Sequence, residues 1–127
     1  TERGLLVPVI FGAEKLSLSD ISAQAKVLAG KAREGKCSPD EMSGGSFTVS
    51  NLGSMGVESF TPVINPPQTA ILGVCCTTNR LKADGKVYPA MGLSLTFDHR
   101  AVDGAPAAKF LKELCTALEN FDLLLAK

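Results

Sequence analysis

The segment TAILGVCCTTNRLKADGKVYPAMGLSLTF, Thr69 to Phe97, decides the fold. Thr69 to Thr78 reads as a strand. Its near-continuous apolar run, Ala70 to Cys76, suits a strand covered on both faces. Ala83-Asp84-Gly85-Lys86 reads as a turn, and Asp-Gly favours a hairpin. Val87 to Phe97 returns as a second strand. Leu93, Leu95 and Phe97 alternate with Ser94 and Thr96, the period-two pattern of a half-buried strand. Two long strands joined by a tight turn predict a mainly antiparallel sheet.

Upstream, the spacing predicts more strands and two helices. Leu5 to Phe11 (LLVPVIF) is a β-rich run, with Pro8 suggesting an edge strand or bulge. Ser17 is a helix N-cap, with Asp20 at the third helical position. Leu18, Ile21, Ala25, Leu28 and Ala32 recur at helical spacing, and Gly35 ends the helix. Ser38-Pro39-Asp40-Glu41 starts a short helix that Gly44-Gly45 ends. Ser46 to Ser50 is a strand, Asn51 to Gly56 a glycine-bearing loop, and Val57 to Ile64 a further short strand. Asn65-Pro66-Pro67 breaks it.

Downstream, a final helix runs from about Ala105 to Asn120, with Asp103 near its start and Pro106 in its first turn. Phe110, Leu111, Leu114 and Leu118 form its expected buried stripe. Leu123-Leu124-Leu125 is an apolar tail that docks on the core or on a neighbour. The order predicts an α/β sandwich: a mixed, mainly antiparallel sheet with helices packed on it.

The 127 residues allow one domain with one core. Lys+Arg and Asp+Glu balance at 13 each, which gives no electrostatic footprint for nucleic acid or an anionic membrane. No run of eighteen apolar residues suggests a membrane span. Thr1-Glu2-Arg3-Gly4 lacks a signal-peptide pattern and reads like the interior of something larger. Cys37, Cys75, Cys76 and Cys115 form no CxxC pair, so no metal site is expected. Adjacent Cys75 and Cys76 point to opposite faces of a strand, so free thiols are the better reading than two disulfides.

Chemistry concentrates at two strand ends. His99 is the one histidine, within Asp98-His99-Arg100-Ala101-Val102-Asp103-Gly104 between a strand and a helix. An imidazole can take a proton from a thiol or hydroxyl near neutral pH. Asp103 is placed to buttress the turn, and Arg100 to pair with a carboxylate such as Asp98. From residue types alone, a lone histidine between two charged residues is more often a plain surface or turn residue, and the strand-end setting moves the balance only modestly toward chemistry. Ser50 ends a strand before a glycine-bearing loop, where its hydroxyl can donate to a developing oxyanion. Sequence alone favours the plainer reading, a strand-end serine bonding to its own backbone. There is no nucleophile elbow, Walker loop or dinucleotide fingerprint.

Several blocks together resemble the C-terminal part of the catalytic domain of dihydrolipoamide acyltransferases, the core subunits of 2-oxoacid dehydrogenase complexes. They are Gly4-Leu5-Leu6-Val7-Pro8-Val9, Lys31 to Lys36, Gly45 to Gly53, Ile64 to Gly73 and Asp98 to Gly104. The last is similar to the HxxxDG signature shared with chloramphenicol acetyltransferase. That signature alone is weak, because condensation domains also carry it. The blocks in this order are specific, and the Ile64 block speaks against other HxxxDG acyltransferases.

The resemblance implies a chloramphenicol acetyltransferase-like two-layer sandwich, of which residues 1–127 are a partial domain. The lipoyl and subunit-binding domains lie outside it. It implies that His99 is the general base on a thiol of coenzyme A or of lipoamide carried on a separate domain. Ser50 then holds the oxyanion and Asp103 holds the histidine segment. Asn51, Leu52 and Gly53 would line the substrate channel. The acyl group is expected to be acetyl.

The resemblance further implies homotrimers, with the histidine side of each site from one chain and the serine side from the next. Trimers would build a cubic or dodecahedral core, with the Leu123 tail between trimers. The dehydrogenase and lipoamide dehydrogenase components would attach through the absent domains. The compartment would be the bacterial cytoplasm or the mitochondrial matrix. The alternative is a non-catalytic scaffold, against which the retention of both His99 and Ser50 counts. A partial sheet is expected to leave apolar surface exposed and to favour self-association.

Overall fold

The computed structural model describes residue 1 and residues 4–125. It divides into two compact units, 1–46 and 47–127.

In the first unit, helix α1 spans Leu18–Glu34. Ser17 Oγ accepts from Asp20 N at 3.1 Å, and Ser17 N donates to an Asp20 carboxylate oxygen. This is a complete capping box with Asp in place of the usual Glu. Gly35, at φ 69°, closes the helix in the left-handed conformation, which glycine adopts without a Cβ clash. Of the predicted stripe only Leu28 is buried, and Leu18 is 57% exposed.

The Ser38 start signal yields only a single 3-10 turn, Asp40–Met42. Ser38 N donates to Glu41 Oε2, and Glu41 N to Ser38 Oγ. The other Glu41 oxygen pairs with Lys31 of α1. That pair holds the Glu41 carboxyl below its ordinary range and the Lys31 ammonium above its own. Leu5 to Phe11 forms no strand. Val9 N donates to Glu41 O, but no strand runs alongside to extend that contact into a ladder.

The second unit carries a three-stranded sheet in the order β1-β2-β3. These are β1 Thr48–Asn51, β2 Ala70–Leu81 and β3 Val87–Phe97. The β1-β2 pair is parallel and short, and the β2-β3 pair is antiparallel and long. The sheet is therefore mixed and mainly antiparallel, as the sequence predicts. The hairpin turn forms at Lys82 to Lys86. Gly85 takes φ 83°, and Lys86 N donates to Asp84 Oδ1. A bulge interrupts the ladder between Val74 and Thr77, so Cys75 and Cys76 together face Gly92.

Ile71, Leu72 and Cys75 of β2 are buried, which fits a strand covered on both faces. The residues of β3 from Gly92 to Phe97 are all half-buried rather than alternating. Val57 to Ile64 is not a strand. Its main chain is held piecemeal across the sheet: Cys76 N donates to Val57 O, and Ser94 Oγ to Phe60 O.

Helix α2 spans Gly104–Glu119 and is followed by the short α3, Phe121–Leu125. Phe110 of α2 meets Phe47 edge-on, with ring centroids 6.2 Å apart. The predicted stripe is only partly covered. Ala107 is buried, Leu111 and Leu114 are half-buried, and Phe110 and Leu118 are 47% and 42% exposed. Leu123, Leu124 and Leu125 are also exposed, so the tail does not fold onto a core of this chain. All four cysteines are free.

Candidate active site

His99 follows β3 by two residues. The ladder reaches one residue past the strand, where Asp98 N donates to Thr69 O at 2.8 Å. The chain then turns sharply, and Asp98 organises the turn. Its carbonyl accepts from Ala101 N and Val102 N. Its carboxylate accepts from Arg100 N at 2.9 Å, Arg100 Nε at 3.0 Å and Arg100 NH2 at 2.7 Å. The Arg100 side chain and then its backbone N–H hold the Asp98 carboxyl down at about 2. The Arg100 guanidinium is raised in return. The expected Asp98–Arg100 pair is therefore present.

This turn presents His99 outward. Its side chain is 72% exposed, and its ring leans on Phe97 with centroids 5.7 Å apart. Asp103 is the backbone N-cap of α2, and its carbonyl accepts from Ala107 N. Its carboxylate makes no capping bond. Instead it stands 3.7 Å from His99 Nδ1, close enough to attract an imidazolium but too far for a direct hydrogen bond. The turn is thus buttressed by Asp98, and the Asp103 side chain bears on His99 rather than on the junction. Sequence reading places Asp98 only as a partner for Arg100. Its acidic type next to the motif is the one signal for the larger role.

Ser50 sits in β1, half-buried, opposite Gly73 of β2, which in turn faces Ser94 of β3. In-register partners share a face, so Ser50 and Ser94 lie on the same side of the sheet. After Ser50 the chain turns tightly. Asn51 Oδ1 accepts from Gly53 N at 2.9 Å, and Leu52 N donates to Val74 O. A single 3-10 turn, Gly53–Met55, follows. A Cβ on Gly53 would stand 2.6 Å from Cys75 O. The glycine expected to let backbone approach a ligand therefore lets backbone approach β2. Leu52 is half-buried and Asn51 exposed beside Ser50.

His99 and Ser50 do not meet within one chain. Phe97 pairs with Ala70, three positions along β2 from the Gly73 that pairs with Ser50. Three strand residues and two interstrand steps separate Ser50 from Phe97 by roughly 14 Å. Phe97 also alternates onto the opposite face from Ser94, and His99 leans on Phe97. A base and an oxyanion donor serving one carbonyl must each come within about 3 Å of its reacting atoms. Among the described residues no group of three or more His, Cys, Asp and Glu could hold a metal ion, and no helix is long and apolar enough to cross a membrane.

The family model for the 2-oxoacid dehydrogenases acyltransferase catalytic domain matches residues 1–126. The chain belongs to this family. It is 50% identical to the dihydrolipoyllysine-residue acetyltransferase component of the acetoin cleaving system of Bacillus subtilis (strain 168). The match covers 94% of this chain and 31% of that protein. It is 46% identical to the corresponding component of the pyruvate dehydrogenase complex of the same organism, over 98% of this chain and 29% of that one.

Solved acyltransferase structures agree. The dihydrolipoamide acetyltransferase of Azotobacter vinelandii, in a study of a serine, a histidine and an asparagine in its catalytic mechanism, superposes with a TM-score of 0.90 at 45% identity. It covers 96% of this chain and 51% of that one. The cubic core of a pyruvate dehydrogenase multienzyme complex gives a TM-score of 0.90 at 44% identity, with the same coverage. The mixed α/β fold is thus that of these chloramphenicol acetyltransferase-like cores. The acyltransferase-family chain spans about a third of the length of these curated relatives and about half of each solved chain.

Proposed function

We propose that this chain is the C-terminal part of an acyltransferase catalytic domain that moves an acetyl group between dihydrolipoamide and coenzyme A. The exposed His99, held on the Asp98 turn of a chain from this family, carries the reading. His99 takes the proton of the attacking thiol. The thiolate adds to the thioester carbonyl. The hydroxyl of Ser50 donates to the resulting oxyanion. Collapse expels the second thiolate, which takes the proton back from the His99 imidazolium. Asp103 stabilises that imidazolium across 3.7 Å. Asn51, Leu52 and Gly53 form the wall beside Ser50.

The names of the relatives support acetyl as the acyl group. In the Azotobacter enzyme the named histidine and asparagine are four residues apart, the spacing of His99 and Asp103. The relatives are bacterial, which favours bacterial cytoplasm over mitochondrial matrix.

The distance between His99 and Ser50 supports a site completed by a second copy, in a homotrimer that builds a larger core. The match to a cubic core supports that assembly, with lipoyl and subunit-binding domains elsewhere and the dehydrogenase components attached through them. The exposed Leu123-Leu124-Leu125 tail then lies between trimers.

A complementation assay tests both parts. In the assembled protein, His99→Ala and Ser50→Ala are each expected to lower transacetylation by roughly 100-fold or more. Co-expressed in equal amounts, the two variants should regain about a quarter of wild-type turnover, because each cyclic interface draws its two halves at random. Near-normal turnover of either single variant would remove that residue from the site. No recovery on mixing would place the site within one chain.

A further inference from the structure

The bulge in β2 undoes the alternation expected of two neighbouring strand residues. Val74 pairs with Leu93 and Thr77 with Met91, so Cys75 and Cys76 together oppose Gly92. Leu93 and Met91 lie two apart on β3 and share a face. Both cysteines therefore fall on the other face, the side of Gly92. Cys75 Cβ and Sγ lie 3.3 Å and 3.6 Å from where a Gly92 Cβ would stand. Cys76 N donates to Val57 O at 2.8 Å, which fixes the backbone from which its side chain departs.

Position 92 places no side chain against the two thiols. Glu58 O lies 3.3 Å from the same Cβ position, and Glu58 itself is exposed. Cys75 is 4% exposed and Cys76 half-buried, so a reagent reaches the pair through Cys76. Both thiols are free. Consecutive Cα atoms stand about 3.8 Å apart across a trans peptide, short of the roughly 4.4–6.8 Å that ordinary disulfides span. An atom inserted between the sulfurs removes that mismatch. A structural zinc needs four ligands, and among the described residues no group of three or more His, Cys, Asp and Glu could hold a metal ion. Two thiols on one face suit a thiophile that takes two sulfurs from one side and carries its remaining ligand with it.

From this arrangement we infer that Cys75 and Cys76 form a vicinal dithiol site for a monosubstituted trivalent arsenical. Cys76 reacts first and Cys75 closes the ring. Two As–S bonds form and two bonds from arsenic to hydroxyl break. Each thiol proton leaves with a hydroxide as water. Arsenic keeps its oxidation state and its carbon substituent, so the step needs no oxidant or reductant. The site stands apart from the proposed roles of Ser50 and His99.

The test adds phenylarsine oxide to the folded, fully reduced chain, then excess 2-mercaptoethanol, and reads intact mass and free-thiol count. One phenylarsenic group per chain is expected to survive the monothiol, with two of the four thiols consumed. The dithiol 2,3-dimercaptopropanol should release it. The double variant Cys37→Ser, Cys115→Ser should keep the adduct. Cys75→Ser and Cys76→Ser should each lose it, because a singly held arsenical exchanges with the monothiol. Cys76 is the less buried of the two, so Cys76→Ser keeps the test open if Cys75→Ser does not fold. A resistant adduct in folded Cys76→Ser would overturn the site by placing it on other cysteines. So would a folded wild type that forms no resistant adduct, or forms one only once urea unfolds it.

Discussion

Three glycines of the second unit sit in different surroundings, and alanine at each should change stability by a different amount and sign. Gly53 lies where an added Cβ would stand 2.6 Å from Cys75 O, 2.9 Å from Cys75 C and 3.1 Å from Cys76 N. All three atoms are main chain of β2, which is paired on both sides, so no side chain can swing away. Relief needs a shift of the β1-to-Gly53 turn by more than half an ångström, against the Asn51 Oδ1 and Val74 O hydrogen bonds. Overpacking of this kind costs about 1–3 kcal/mol, offset in part by the ~0.4–1 kcal/mol gained from a stiffer unfolded chain. The net expectation is a loss of about 1–1.5 kcal/mol and a thermal midpoint lower by roughly 4–8 °C.

Gly56 has open space but φ 76°, so alanine there meets only left-handed backbone strain of about 1 kcal/mol. Gly104, the first residue of α2, has open space and no positive φ. Alanine there should stabilise by a few tenths of a kcal/mol or more. The assay is thermal unfolding at one fixed protein concentration, since the proposed assembly would add to apparent stability. The expected order is Gly104→Ala, wild type, Gly56→Ala, Gly53→Ala. A Gly53→Ala protein as stable as wild type would refute the close approach to β2. So would its ranking above Gly56→Ala.

Further outcomes concern the histidine turn. Asp103→Ala should change stability by less than ~0.5 kcal/mol, because its carboxylate makes no capping bond, whereas losing a working cap costs about 1 kcal/mol. Turnover should fall in that variant and also in Asp103→Asn, which loses the charge that faces the His99 imidazolium; chemical denaturation beside the transacetylation rate checks both, and a stability loss of a full cap would overturn it. Asp98 titrates near 2, below its ordinary 3.8, so its contribution to stability is present above pH 4 and fades as pH falls toward 2. Arg100→Gln should raise the Asp98 carboxyl toward the ordinary range, read by carboxyl-carbon NMR, and an unmoved titration would show that the backbone N–H of residue 100 is the whole cause.

Local chemistry was readable where the cause is local. Ser17 with Asp20, Gly35, the Asp84-Gly85 turn and the apolar run of β2 each fold as their residues dictate, because cap, turn and double-sided burial are decided within a few positions. In the Asp98-to-Gly104 turn the Asp98–Arg100 pair was readable for the same reason, whereas the buttress expected from Asp103 falls to Asp98. Leu5 to Phe11 and Val57 to Ile64 have strand composition, yet a strand exists only if another runs beside it. The first finds one hydrogen bond and the second two separate ones, and neither fact is written in its own residues. The stripe of Phe110 and Leu118 follows helical spacing correctly, but spacing does not say whether a covering surface lies in the same chain. The bond from Ser94 Oγ to Phe60 O carried no signal, because it depends on where the register of β2 and β3 places Ser94. The separation of Ser50 from His99 likewise emerges only once β2 sets the register between them.

That separation has a genetic consequence. In the proposed ring of three, each polypeptide would lend its histidine to one neighbour and its serine to the other. A single chain defective in both would silence the two centres it touches, out of three, while a chain defective in one would silence only one. Heterozygous or mixed expression would therefore give graded, predictable dominance, with the severity of an allele set by which face of the protomer it damages rather than by how badly it folds.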